Sequence, residues 1–567
     1  MKTIILVMVL AVGDVFATEP ATVVAENAVE VKEAEGLRWF EEMIPTADGL
    51  KLYTFGNAPA PGVKCPIIVI RSPYVPEKRM DMLQFAREKK PLLDHGYAWV
   101  TQHCRGAGMS EGIFIPHVAE REDGLALLEY VRKLPWYNGE IYLEGGSYGA
   151  SVHWAYLDTN PSDVKGAYLP FQDLNRYNIV YRNGFFKSGL AGGWICDMYG
   201  KKDPTLEQNH NAWFSQFPLA DFSKRRWNRA LPMLDNILTH PNRDDPFWKS
   251  ELPGSGSETL NGLLKSTMPI FLSTAFYDIY TEGVFDMWHS IPVERRANCA
   301  LLVGAYEHGS GVRKEFVGTK GEFKGGDGKP GVSMVEWFDA IRAAAKEGRP
   351  FEGLVNMPAA TTSYYALWEN VWITEPELLD GPRQVSFTLG EKNRAYTYDP
   401  KRPLPNFPGS GGLCFGGMQA QPEPDFRDDV VSFVLPPVTE RLDVRGRMTA
   451  ELTVESDCED TCFYIRVSVD KGDGTWYLLR DDITSLSTAV RDGRLVKSGK
   501  QATITYRFPD HAFRLEPGDR LRVDVSSACS QFAPHSNVVG DQFTVREPKV
   551  AHNQVIASKS RLILSVK

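Results

Sequence analysis

Ser147 stands at the centre of Gly145-Gly-Ser-Tyr-Gly149, directly after the apolar run Ile141–Glu144 and directly before a helix-compatible stretch through Trp154. A Gly-x-Ser-x-Gly turn between strand and helix lifts a serine hydroxyl above a sheet edge and aims backbone N–H groups at whatever it attacks. Gly145 and Gly149 are expected to leave room for that strained turn. A serine hydroxyl is a poor nucleophile at neutral pH, so it needs a histidine to take its proton and a carboxylate to orient that histidine. On an α/β sheet these partners follow in the order acid, then histidine, each on a loop after a strand. Asp278 follows the apolar run Pro269–Ser273, and His308 follows Ala300–Gly304. The chemistry this order predicts is acyl transfer through Ser147, Asp278 and His308.

The other downstream histidines are placed less well. His289 lies in a helix-like stretch, and His511, His535 and His552 fall in a region of strand-like alternation. The serine motif alone is weak, because short glycine patterns recur by chance in a chain with 49 glycines. Three groups in the right order, each at a strand end, make it specific.

The elements that must position these groups are legible as a rhythm. From about residue 36 to 357, apolar strands alternate with helical patterns, which predicts a parallel sheet covered by helices on both faces. Strand candidates are Ile67–Ile70, Tyr97–Thr101, Ile141–Glu144, Ile270–Ser273 and Ala300–Gly304. Glu120–Lys133 and Met334–Lys346 carry apolar residues at helical spacing and read as sheet-covering helices. Residues 172–265 break the rhythm with an aromatic, asparagine-rich stretch that reads as an inserted helical cap. Two tryptophans of this cap, Trp194 and Trp213, are candidate substrate-lining residues, as is Phe276 beside the acid; aromatics at helical spacing also serve as core. From 358 to 567 the period changes to two, with turn signals and almost no helical pattern, which predicts a β-sandwich of jelly-roll type.

At the N-terminus, a lysine, an apolar run from Ile4 to Val12 and a small-residue site near Ala17 have the layout of a secretory signal peptide over residues 1–17. Residues 18–35 lack a clear period and read as a tether. The chain is therefore expected to be secreted or periplasmic, without a stable membrane span. Of the eight cysteines only Cys458 and Cys462 are close enough to suggest a small loop disulfide, and no zinc pattern completes them. A formal net charge of −9 over 567 residues offers nothing that attracts nucleic acid.

Several segments resemble those of the cocaine esterase (CocE/NonD) and X-Pro dipeptidyl-peptidase S15 family of serine hydrolases, in the same order along the catalytic region. These are Asp48-Gly-Leu-Lys-Leu52, Arg71-Ser-Pro-Tyr74, Arg105-Gly-Ala-Gly-Met-Ser-Glu-Gly112, Pro135-Trp-Tyr-Asn-Gly139, Gly145-Gly-Ser-Tyr148, Phe276-Tyr-Asp278 and Gly304-Ala-Tyr-Glu-His308. The resemblance implies an α/β-hydrolase fold with an inserted helical cap and a C-terminal jelly-roll domain. It also implies an oxyanion hole made by the phenol of Tyr74 and the backbone N–H of Tyr148, with no cofactor and no metal. The chain departs from the family pattern at His103, where an aspartate is common, at Ala150, and in the aromatics before Asp278 and His308. Relatives that hydrolyse α-amino-acid esters carry an acidic pair soon after the catalytic aspartate; here only Glu282 is nearby. A small ester or amide with a neutral or aromatic acyl group is therefore the expected substrate. The alternatives are an Xaa-Pro dipeptidyl-peptidase, an α-amino-acid ester hydrolase or β-lactam acylase, and, from another class, a glycan-binding β-sandwich protein.

Overall fold

The computed structural model describes residues 22–26, 29–172, 176–200, 217–248, 257–308, 332–376, 381–405, 418–489, 495–540 and 542–567. Its framework is a twelve-stranded sheet. In spatial order the strands are Thr22–Glu26, Val29–Ala34, Leu37–Pro45, Lys51–Asn57, Ala98–His103, Cys65–Ser72, Tyr137–Glu144, Val164–Tyr168, Ile270–Tyr277, Cys299–Glu307, Thr361–Ala366 and Val371–Glu375. From Ala98–His103 to Thr361–Ala366 neighbours run parallel, and antiparallel strands close both edges.

Helices cover both faces because the central strands are apolar on both sides, the signature of a parallel sheet. On one face, Leu83, Phe85 and Ala86 of helix Met82–Asp94 pack with Trp337, Phe338 and Ile341 of helix Met334–Glu347 against Trp99, Tyr142 and Phe271. Asp81 caps the first helix through Leu83 and Gln84 N–H at 3.0 and 3.1 Å, and Ser333 with Glu336 forms a capping box on the second. On the other face, Leu127, Leu128 and Val131 of helix Glu120–Val131, Ala150 and Trp154 of helix Tyr148–Trp154, and Val284 and Trp288 of helix Thr281–Ser290 share one core. Burying each side chain of this size contributes about 2 kcal/mol.

Three boundaries differ from the expected ones. The segment read as a tether over 18–35 forms two strands from Thr22 onward. Val29 and Val31 alternate into the core at 6% and 0% exposure, a period of two that the flanking glutamates and alanines obscure. The catalytic sheet does not stop at 357, since Thr361–Ala366 and Val371–Glu375 complete its edge before the sandwich begins at Arg383. Helix Ser257–Lys265 packs on the catalytic body, where a Cβ on Gly262 would lie 3.1 Å from the Trp154 ring, so the cap ends earlier than 265. The leader-like residues 1–17 lie outside the described residues.

The C-terminal region is a sandwich of a seven-stranded and a five-stranded sheet, antiparallel throughout, as its period-two pattern predicts. Cys458 and Cys462 are free thiols. One apolar core runs from the catalytic sheet into this sandwich, joining Phe276, Tyr277 and Leu367 to Phe513, Leu479 and Leu515. The cap bridges the two as well, with Ala533 N–H donating to Phe186 C=O at 2.9 Å and Ala220 N–H to Phe543 C=O at 2.7 Å.

Candidate active site

Ser147 is the N-cap of helix Tyr148–Trp154 and adopts φ 58°, ψ −128°, a backbone region that side chains rarely enter. The strain is held from both sides. Ser147 N–H donates to Pro170 C=O at 3.1 Å, while Ala150 and Ser151 N–H turn back onto Ser147 C=O at 2.9 and 3.2 Å. The two elbow glycines are not equivalent. A Cβ on Gly145 would lie 2.1 Å from the Gly149 carbonyl oxygen, whereas one on Gly149 would meet only Arg71 C=O at 3.6 Å.

Strand register brings the other two groups to the same edge. Strands Ile270–Tyr277 and Cys299–Glu307 run parallel with Ala275 opposite Gly304 and Tyr277 opposite Glu307, so the next residues, Asp278 and His308, emerge side by side. His308 Nδ1 lies 2.7 Å from Asp278 Oδ1, and His308 Nε2 lies 3.0 Å from Ser147 Oγ. Asp278 is fully buried, and Thr274 Oγ1 donates to its second oxygen at 2.8 Å, which fixes the carboxylate plane. Thr281 Oγ1 lies 2.6 Å from both the Ala275 and Asp278 carbonyl oxygens and shares its one proton between them, which locks the turn that carries the acid. This is the arrangement in which a carboxylate holds one imidazole tautomer and the opposite ring nitrogen faces the serine.

Tyr74 reaches the serine from the loop after Cys65–Ser72. Its phenol accepts from Trp194 Nε1 at 3.1 Å and interacts with the Ser147 side chain. Tyr74 is 46% exposed. The surrounding bulk nonetheless pushes its pKa up to about 12, which keeps it a proton donor at neutral pH. The amides of Gly149, Ala150 and Ser151 are engaged by Gly146 and Ser147, and Tyr148 N–H precedes them at the head of the helix. The Tyr148 side chain points inward: its hydroxyl donates to Glu120 at 2.8 Å and accepts from His117 N–H at 2.8 Å. Glu120 is in turn paired with buried Arg71 at 2.7 Å. One carboxylate thus ties the strand leading to Tyr74 to the helix bearing Tyr148.

The three expected substrate-lining residues have different placements. Trp194 stands at the site, its ring 5.7 Å from that of Tyr148. Phe276 does not: it is 1% exposed and stacked on His511 at 4.5 Å, because the sandwich docks on that side of the strand, so its assignment as a substrate contact is corrected to domain packing. Trp213 lies outside the described residues. Aromatics unremarked in the sequence stand closer. Phe171 and Tyr280 flank His308 at 5.4 and 5.5 Å, and Phe114 and His117 flank Tyr148 at 5.5 and 4.8 Å. Their sequence positions carry no period that marks them, since each sits in a loop. Burial holds the His117 pKa down at about 3, so that ring is neutral.

Glu282, the nearest acid after Asp278, is paired with Arg182, which also bonds Asp482 at 2.7 Å. Burial raises the Glu282 pKa, but Arg182, Lys187, Arg243 and Arg447 outweigh it and hold the carboxyl below its usual range. Among the described residues, no cluster of three or more His, Cys, Asp or Glu side chains suits a metal ion, and no helix is long and apolar enough to cross a membrane.

A serine at a strained strand-to-helix turn, a histidine and an acid at neighbouring strand ends, and an appended β-sandwich define a serine hydrolase of the α/β class. Residues 48–310 match the X-Pro dipeptidyl-peptidase (S15 family), and residues 352–562 match the X-Pro dipeptidyl-peptidase C-terminal non-catalytic domain; the chain belongs to this family. It is 23% identical over 539 residues to cocaine esterase from Rhodococcus sp. (strain MB1 Bresler), covering 86% of this chain and 90% of that protein. Two solved structures share the fold. An aminopeptidase from a marine sediment Thaumarchaeota archaeon has TM-score 0.73 at 16% identity, covering 94% of this chain and 96% of its own. An α-amino acid ester hydrolase has TM-score 0.72 at 17% identity, covering 93% and 96%.

Proposed function

We propose that this chain hydrolyses ester or amide bonds of small molecules by an acyl-enzyme mechanism in which Ser147 is the nucleophile, His308 the general base and Asp278 its orienting acid. The observation that carries this reading is the continuous hydrogen-bonded chain Asp278–His308–Ser147 at 2.7 and 3.0 Å. His308 Nε2 takes the Ser147 proton as Oγ attacks the carbonyl carbon. The oxyanion so formed is met by Tyr74 O–H and Tyr148 N–H. His308 then protonates the leaving alcohol or amine, and the same imidazole activates the water that releases the acid. Donors fixed before the charge develops stabilise the tetrahedral state more than the ground state, each at about a hundredfold or more in kcat. No cofactor takes part.

The acyl group favoured is neutral or aromatic. Aromatic rings gather at the site, Trp194 against Phe114 and Phe171 and Tyr280 against His308, while Glu282 is paired with Arg182 and so offers no free anionic seat to a substrate ammonium. Residues 1–17 support export to the periplasm or medium by their leader-like pattern. Hydrolysis of a p-nitrophenyl ester panel tests the reading. Neutral acyl esters should turn over faster than α-amino acyl esters, and Ser147→Ala should abolish both while the protein still melts as wild type. Wild-type turnover in Ser147→Ala would overturn it.

A further inference from the structure

The hydrogen bond from Trp194 to Tyr74 has a direction fixed by chemistry. An indole N–H only donates, so the phenol oxygen must accept, and the phenol's own proton is left for its remaining direction. Ser147 and this phenol interact, which places the nucleophile within reach of that proton. Trp194 is borne by helix Gly193–Gly200 of the cap, 120 residues away in sequence from Tyr74. Its ring also lies on that of Tyr148 at 5.7 Å and 32°, and 6.1 Å from Phe114. A single cap side chain therefore touches both residues that would supply oxyanion donors.

We propose that Trp194 is a positioning residue for the oxyanion hole: by donating its indole N–H to Tyr74 Oη it turns the phenol O–H toward Ser147, so that docking of the cap and stabilisation of the tetrahedral intermediate are coupled. As the substrate oxygen gains negative charge it draws on the phenol proton, and electron density on Tyr74 Oη rises. The hydrogen bond from Trp194 then strengthens, since linked hydrogen bonds polarise one another. Its contribution is thus larger in the transition state than in the ground state, and appears in kcat rather than KM. A tryptophan that merely walled the acyl pocket would act on KM, and differently for each acyl group.

The inference deepens the proposed acyl-transfer reading and rests on it. The test is Trp194→Phe, which keeps an aromatic ring on Tyr148 and removes the N–H. Losing one transition-state hydrogen bond predicts a fall in kcat of about tenfold on every ester tried, with KM within about twofold. An arylboronic acid, which forms a tetrahedral adduct on serine, should weaken by the same factor. Trp194→His, which restores a ring N–H donor, should keep more of kcat than Trp194→Phe and remains informative if the phenylalanine variant does not fold. In a Tyr74→Phe background, Trp194→Phe should cost less than twofold more, because its acceptor is gone. Unchanged kcat with an acyl-dependent KM, or full additivity with Tyr74→Phe, would overturn the positioning role and leave the triad untouched. Unchanged kcat in Tyr74→Phe itself would remove Tyr74 from the oxyanion hole and overturn the positioning role with it, whereas the acyl-transfer reading falls only if Ser147→Ala keeps its turnover.

Discussion

Ser147 is held at φ 58° not by glycine freedom at its own position but by what its neighbours lack. Gly145 is the neighbour that cannot change: its absent Cβ is replaced by the Gly149 carbonyl at 2.1 Å, backbone against backbone. Gly145→Ala should therefore shift the elbow by a fraction of an ångström and lower kcat/KM by about a hundredfold, the scale set by a small misplacement of a reacting group. Gly149→Ala should cost far less, since its Cβ meets only ordinary contact at 3.6 Å. Equal losses in the two variants would refute this account of the turn. The pentapeptide shows both glycines alike, and only the backbone path separates them. Ser147, Asp278 and His308 were legible because strand ends and residue order constrain them. Glu120, Phe171 and Tyr280 were not, because each reaches the site through a tertiary contact that leaves no local pattern.

At the scale of elements, parallel register does most of the positioning. Tyr137–Glu144 delivers the serine, and its last residue carries a pH dependence of its own. Burial raises the Glu144 pKa from 4.5 to about 7, with Lys89 pulling the other way. A carboxyl whose folded pKa is raised favours folding while protonated, so its contribution is full below pH 4.5 and is lost as pH rises through about 7. Glu144→Gln should then raise Tm relative to wild type at pH 8 and change it little at pH 5. A difference of the same size at both pH values would contradict the assignment. The sheet's long apolar strands were readable from sequence as runs. Its edge strands were not, since Val29 and Val31 alternate among glutamates and alanines that resemble a tether, and Thr361–Ala366 sits where the period was already changing.

Across the whole molecule, the catalytic sheet and the sandwich share one apolar core, the cap builds its own core onto Ala533 and Phe543 of the sandwich, and charged side chains cross the seams. Arg480 of the sandwich is 3% exposed, bonded to Phe276 C=O and, at 3.0 Å, to Asp510 C=O. Burial brings its pKa down to about 10, so it stays charged at neutral pH. Tyr277 O–H adds a bond to Leu478 C=O at 3.0 Å. These contacts grip the strand that leads into Asp278. Arg480→Ala leaves two buried carbonyls without their donor, a cost of roughly 3 kcal/mol, and should lower Tm by several degrees. An unchanged Tm would show the sandwich to be an independent appendage. The domain order was legible from the change of period, whereas the shared core was not, because burial between domains has no sequence period.

If Ser147 is the nucleophile that becomes acylated, an irreversible serine reagent must mark that residue and no other. Labelling with a fluorophosphonate and peptide mapping by mass spectrometry tests it most directly. A single adduct is expected on the Ser147 peptide of the folded protein, absent in Ser147→Ala and strongly slowed in His308→Ala. An adduct on another serine, or labelling that persists in Ser147→Ala, would contradict it.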